Sequence, residues 1–173
     1  MSMESKQLAE RFAAAKVVVV DDEHYMRKVV RTMLLSIGIR EVHEAPDGEA
    51  GLELIRRLAP DVVILDWQMP GLDGPAFVRI VRSPATFPYP NVPIIMLTGH
   101  GERSRVVEAV KIGVNEFLLK PVSSKSLQDR LVSVLTKPRP MVQTANYYGP
   151  APRNMGTIHA DTDEAIVKLV LVN

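Results

Sequence analysis

Cysteine is absent from this 173-residue chain, which excludes disulfides, thiolate metal sites and a cysteine nucleophile together. An excess of one charge sign is missing too: 21 Lys+Arg stand against 20 Asp+Glu, a formal net charge of +1. That balance argues against a dedicated nucleic-acid binder, which carries a strong basic excess. Long apolar runs do not occur. Val17–Val20 and Ile94–Leu97 fall far short of the ~18 residues that a membrane-spanning helix needs. The start, Met1-Ser2-Met3-Glu4-Ser5-Lys6, lacks the basic-then-apolar order of an export signal. His24, His43, His100 and His159 show no i,i+4 or zinc-finger spacing, which speaks against a transition-metal site. No solenoid repeat or long low-complexity tract is present. What remains is 46% apolar and 24% charged, an ordinary globular balance of a length suited to one domain plus an appendage. The expectation is a soluble cytoplasmic protein that contacts neither membrane nor nucleic acid.

From Lys16 to Thr136, short β-branched runs alternate with helical stretches. Val17–Val20, Asp61–Asp66 and Ile94–Thr98 read as strands buried on both faces, with Glu41–Ala45 and Glu116–Leu119 as shorter ones. Apolar residues at helical spacing predict helices over Met26–Ile37, Pro75–Val81, Arg103–Ile112 and Ser124–Leu135, and one opened by Asp47-Gly48 that runs through Leu52, Leu54, Ile55 and Leu58 and closes before Pro60. Strict alternation of five strands with five helices is the pattern of an α/β, doubly wound parallel sheet covered on both faces. Residues 1–15 lie before that domain, and Glu4–Lys16, apolar at Leu8, Phe12 and Ala15, predicts an extra amphipathic helix. Residues 16–136 form the domain itself. Residues 137–173 follow as an extension, with prolines at 138, 140, 150 and 152 predicting an extended segment without its own core.

In open parallel sheets, ligands bind beyond the carboxyl ends of the strands. Those ends carry Asp21 and Asp22, then Asp66, Thr98 and finally Lys120-Pro121. Three clustered carboxylates repel one another and call for a hard, oxygen-loving cation such as Mg²⁺. Lys120 supplies a point charge able to pair with Asp66 or with a phosphate. Such a site suits a phosphoryl group carried on a carboxylate nucleophile. Taken singly, each motif has a plainer reading: Asp21-Asp22 as a helix cap, Thr98 as an ordinary strand residue, Phe117 as core.

These residues, in this order, resemble the receiver domain of two-component response regulators. The match consists of Asp21-Asp22, Val62-Val63-Ile64-Leu65-Asp66 with Trp67-Gln68-Met69-Pro70-Gly71-Leu72-Asp73-Gly74, Thr98-Gly99 and Lys120-Pro121. Asp22 to Asp66, Asp66 to Thr98 and Thr98 to Lys120 are separated by 44, 32 and 22 residues. The middle interval is slightly long for the family and places extra residues in the Pro-rich loop Ser83–Pro93. The resemblance implies a flavodoxin-like sheet of order 2-1-3-4-5, with Asp66 as phosphoacceptor. It implies Mg²⁺ held by Asp22, Asp66 and the backbone carbonyl of Gln68, with Asp21 acting through a water. Lys120 is implied to pair with the phosphoryl group and Thr98 to turn its hydroxyl toward it, vacating space for Phe117. Gln68 and His100 occupy the positions that tune the lifetime of the phosphoryl group. The implied donor is a sensor histidine kinase or a histidine phosphotransfer protein. The implied readout is a downstream protein, met by the surface of Arg103–Ile112, Glu116–Leu119 and Ser124–Leu135, the helix 4–strand 5–helix 5 face in receiver numbering. No catalysis is implied beyond the chain's own phosphoryl uptake and loss.

Thirty-seven residues after Thr136 leave no room for a helix-turn-helix output module of ~60 residues, so a stand-alone regulator is expected. Pro138–Pro152 reads as an arm able to reach a second subunit in a homodimer, and the apolar Ile166–Val172 as a strand added to a sheet edge. Arg103, Arg105 and Lys111 read as a solvated helix face. Two other functions compete. A receiver-like scaffold would work without phosphorylation. A haloacid-dehalogenase-type aspartyl-phosphate hydrolase would carry its nucleophile after the first strand, where this chain has Asp21-Asp22-Glu23-His24.

Overall fold

The computed structural model describes residues 1–99 and 103–152. Its five central strands are β1 (Lys16–Val20), β2 (Glu41–Ala45), β3 (Val62–Asp66), β4 (Ile94–Thr98) and β5 (Glu116–Leu119). Six helices surround them: α1 (Met3–Ala14), α2 (His24–Ile37), α3 (Gly48–Leu58), α4 (Gly74–Val81), α5 (Arg103–Ile112) and α6 (Ser124–Thr136). All neighbouring strands pair in parallel, in the order β2-β1-β3-β4-β5 expected from the alternation and the resemblance.

The strands are apolar throughout because each feeds two cores, successive side chains pointing to opposite faces. Val18, Val20, Val63, Leu65, Ile94, Met96 and Phe117 face one core, with Leu52, Ile55, Phe77 and Val106 from α3, α4 and α5. Val17, Val19, Ile64, Ile95, Leu97 and Leu118 face the other, with Leu34, Leu127 and Leu131 from α2 and α6. Helix ends follow the local chemistry. The Asp47 and Asp73 side chains accept from the backbone N–H of Ala50 and Ala76, starting α3 and α4. Gly38, at φ 114°, ends α2 in the left-handed conformation, its N–H donating to Leu34 and Leu35 carbonyls. Among the described residues no helix is long and apolar enough to cross a membrane.

The extra N-terminal helix is present but stops earlier than its pattern suggested. Ala15 is extended, and Lys16 already belongs to β1, its N–H donating to Asp61 Oδ2 at 2.7 Å. Phe12 is buried in the α2–α6 core, and Arg11 Nη1 donates to the Leu135 carbonyl at 2.7 Å, fastening α1 to the end of α6. Phe12→Ala should therefore lower unfolding free energy by about 3 kcal/mol. A urea denaturation curve checks this; a loss under ~1 kcal/mol would place α1 outside the cooperative unit.

The segment expected to run extended from Pro138 to Pro152 does otherwise. Strands β6 (Met141–Gln143) and β7 (Tyr148–Pro150) pair antiparallel as a hairpin folded onto their own chain. Gly149 approaches Gly113 so closely that a Cβ on Gly149 would lie 2.8 Å from the Gly113 Cα. Arg139 donates to the carbonyls of Asn115 and Ala151 at 2.6 and 2.9 Å, and the Tyr148 hydroxyl donates to Asn91 Oδ1. These contacts occupy the residues read as a dimer arm. Ile166–Val172 lies outside the described residues.

Candidate functional site

The carboxyl ends of β1, β3, β4 and β5 open onto one cleft. Asp21 follows β1, its N–H donating to the Ala45 carbonyl and its Oδ1 accepting from Glu23 N–H at 2.9 Å. It is buried, whereas Asp22 beside it is exposed. Neither caps α2: the N-cap residue is Glu23, which makes no side-chain cap bond. Asp66 ends β3 and is 5% exposed. Behind it the chain turns so tightly that a Cβ on Gly74 would lie 2.7 Å from the Asp66 carbonyl oxygen, a spacing only glycine permits. Thr98 ends β4, 1% exposed. Its carbonyl accepts from Lys120 N–H at 2.8 Å, which seats the lysine at the same level. The Lys120–Pro121 peptide that follows is cis.

Carboxylate oxygens of Asp21, Asp22 and Asp66 lie within 4.8 Å of one another. Lys120 Nζ donates to Asp66 Oδ1 at 2.9 Å and stands 3.6 Å from Asp21 Oδ2. Burial pushes the Asp66 carboxyl up to about 6, aided by the charges of Asp21 and Asp22 and opposed by Lys120. Burial likewise raises Asp21, while Glu23 N–H and Lys120 pull it back. For Lys120, burial acts downward, but the hydrogen bond and charges of Asp66 and Asp21 outweigh it and leave it raised. One ammonium is thus set against three carboxylates. Asp21 Oδ2 is buried without a hydrogen-bond donor. An orphaned buried oxygen in a cluster of hard oxygen donors fits a divalent cation of the Mg²⁺ type.

The structure gathers Asp21, Asp22, Asp66, Thr98 and Lys120 as the sequence led us to expect. Gln68 sits on the turn two residues past Asp66 with its side chain exposed. Phe117 is buried on β5, its ring 6.5 Å from that of Trp67 and nearly perpendicular to it. His100 lies outside the described residues. Arg105 departs from its reading as a solvated residue: Nη1 donates to Thr98 Oγ1 at 3.4 Å, and the guanidinium lies 5.5 Å over the Trp67 ring. Sequence gave no sign of this, since a lone arginine in the first turn of a helix has no spacing that marks it as inward.

The profile of the response regulator receiver domain matches residues 17–132. The chain belongs to that family. It is similar to the chemotaxis protein CheY-3 of Vibrio cholerae, 30% identical over 122 residues that cover 70% of this chain and 92% of that protein. It is also similar to CheY1 of Helicobacter pylori, 38% identical over 121 residues, 69% of this chain and 96% of that one. A third relative, the probable transcriptional regulator ycf27 of Guillardia theta, is 40% identical over 122 residues, but the match spans only 46% of it. Among solved structures, CheY4 of Vibrio cholerae superposes with a TM-score of 0.63 at 34% identity, covering 70% of this chain and 98% of that one. A response regulator of Chloroflexus aurantiacus gives 0.66 at 31% identity, covering 71% and 98%. The acidic pocket therefore occupies the strand-end cleft of a receiver fold, and receivers are partners of histidine kinases. The N-terminal helix and the C-terminal hairpin carry residues beyond the matched span.

Proposed function

We propose that this receiver accepts a phosphoryl group on Asp66 and uses it to switch a protein-binding face. The observation carrying this reading is the Asp66–Lys120 hydrogen bond of 2.9 Å beside the carboxylates of buried Asp21 and exposed Asp22. Asp66 attacks the phosphorus of a phosphohistidine on a sensor kinase or phosphotransfer protein; the P–O bond forms as the P–N bond breaks, and the imidazole departs. Asp21, Asp22, Asp66 and the Gln68 carbonyl would hold Mg²⁺, which when bound neutralises phosphoryl charge. Lys120 pairs with one phosphoryl oxygen, giving up part of its contact with Asp66. The Thr98 hydroxyl donates to another, with Phe117 taking the space it leaves. Gln68, two residues past Asp66 in the sequence, and His100, two past Thr98, set the lifetime of the phosphoryl group. The added charge of about −1.5 to −2 biases the α5–β5–α6 face, which meets the downstream protein.

The test is direct. Incubation with Mg²⁺ and a small acyl phosphate should add the mass of one phosphoryl group, and Asp66→Asn or removal of Mg²⁺ should abolish it. No adduct, together with no change in Trp67 fluorescence on adding fluoroberyllate, would sink the reading and leave a scaffold that works unphosphorylated.

A further inference from the structure

Arg105 is a cation beside Thr98 that the reading above leaves unused. It enters from the first turn of α5. Its Nη1 reaches the buried Thr98 hydroxyl at 3.4 Å, and its guanidinium carbon lies 5.5 Å over the ring of Trp67, the residue directly after Asp66. Trp67 is in turn held by the edge-on ring of Phe117. A guanidinium has only donors, so in this contact Thr98 Oγ1 is the acceptor. A hydroxyl that accepts from a cation becomes a better donor through its own proton, and the effect is larger where water is excluded. The cation–π contact with Trp67 restrains the guanidinium, so less rotamer freedom remains to be lost when the bond forms.

We propose that Arg105 is a positioning residue for phosphoryl uptake, polarising the Thr98 hydroxyl as a donor to the incoming phosphoryl oxygen while stacked on Trp67. This rests on Asp66 being the phosphoacceptor. With an acyl phosphate, the Asp66 Oδ–P bond forms, the P–O bond to the acyl group breaks, and the carboxylate leaves. The Thr98 proton stays on Oγ1 and only hydrogen-bonds. Charge spread over the equatorial oxygens in the transition state is what the Arg105–Thr98 pair stabilises. The guanidinium also ties the start of α5 to the phosphoryl group, so the helix reports the state of Asp66 through Thr98.

The experiment measures the rate of uptake from acetyl phosphate with Mg²⁺ in the full chain, by intact mass. Arg105→Met should slow uptake about tenfold, the worth of one charge-assisted hydrogen bond. Arg105→Lys, which restores charge and a donor without the planar stack, should fall between the two. In a Thr98→Ala background the Arg105→Met change should cost less than about twofold, because the residue acts through that hydroxyl. A merely structural arginine would instead slow both backgrounds equally. Arg105→Gln replaces the methionine variant if the latter fails to fold, with urea midpoints and Trp67 emission as the folding controls. Unchanged uptake in Arg105→Met, or a full tenfold loss retained without the Thr98 hydroxyl, overturns the proposal while leaving the phosphoacceptor intact. No uptake by the unsubstituted chain with Mg²⁺ present, together with no Trp67 response to fluoroberyllate, overturns both.

Discussion

Replacing Asp66 with asparagine is expected to stabilise the metal-free chain above pH 6, even as it removes phosphoryl uptake. Asp66 is held near 6, chiefly by burial and secondarily by the charges of Asp21 and Asp22. Its folded value is therefore raised above the ordinary 3.8, so the native state binds this proton more tightly than the unfolded chain does. A raised value contributes stability that is fully present below about pH 4 and is lost as pH climbs through about 6. Over that window the loss is at most about 3 kcal/mol. Asparagine keeps the shape and stays neutral, and Lys120 retains Asp21 at 3.6 Å. Urea midpoints of the two chains, measured across pH 4–8 without divalent ions, should coincide at the acid end and diverge in favour of asparagine toward pH 8. Added Mg²⁺ should reverse the ranking, since a cation binding only the native carboxylates stabilises the unsubstituted chain. A gap independent of pH, or asparagine less stable at pH 8, would mean that Asp66 is not electrostatically strained.

How much of this was legible in the sequence depends on the range of the signal. Asp21, Asp66, Thr98 and Lys120 were readable because each follows an apolar run, and parallel strands bring such run-ends to one edge of the sheet. The two cores were readable too, because a continuous apolar run such as Val17–Val20 sends alternate side chains to both faces of a sheet. Arg105 and Arg82 were not, because an arginine on a helix surface and one that turns inward have the same local pattern. Glu116 belongs with them. It opens the run Glu-Phe-Leu-Leu yet is buried, accepting from Ser133 Oγ at 2.9 Å and pairing with Arg130 at 3.4 Å across to α6. The hairpin over 141–150 escaped because nothing alternates in it; its docking depends on two glycines, Gly113 and Gly149, meeting backbone to backbone.

Arg82→Met should lower unfolding free energy by about 2–4 kcal/mol, more than any single surface change in this chain. Arg82 is 6% exposed, and among the described residues no carboxylate pairs with its guanidinium. Its Nε donates to the Gly113 carbonyl at 2.9 Å, Nη1 to Pro90 and Val92 carbonyls at 2.6 and 2.8 Å, and Nη2 to Asn115 Oδ1 at 2.8 Å. Burial draws its value down to about 10, with Tyr147 and Tyr148 opposing, so it remains charged at neutral pH. Methionine relieves the desolvation of that charge but takes the donor from three carbonyls, Asn115 Oδ1 keeping the Ile94 N–H at 2.9 Å, and the second effect dominates where those oxygens have no water to turn to. Lysine should do nearly as badly, because a point charge cannot span four oxygens as a planar fork does. The damage should travel. Arg82 fixes the Pro-rich loop to the Gly113–Asn115 turn, and that turn is the seat of the hairpin: a Cβ on Gly113 would stand 2.7 Å from the Tyr148 carbonyl oxygen. Amide hydrogen exchange in 141–150 should therefore accelerate beyond the global loss of stability, while β1 and β3 amides follow the global value alone. A destabilisation under 1 kcal/mol, or uniform exchange throughout, would show that the hairpin is held without the arginine.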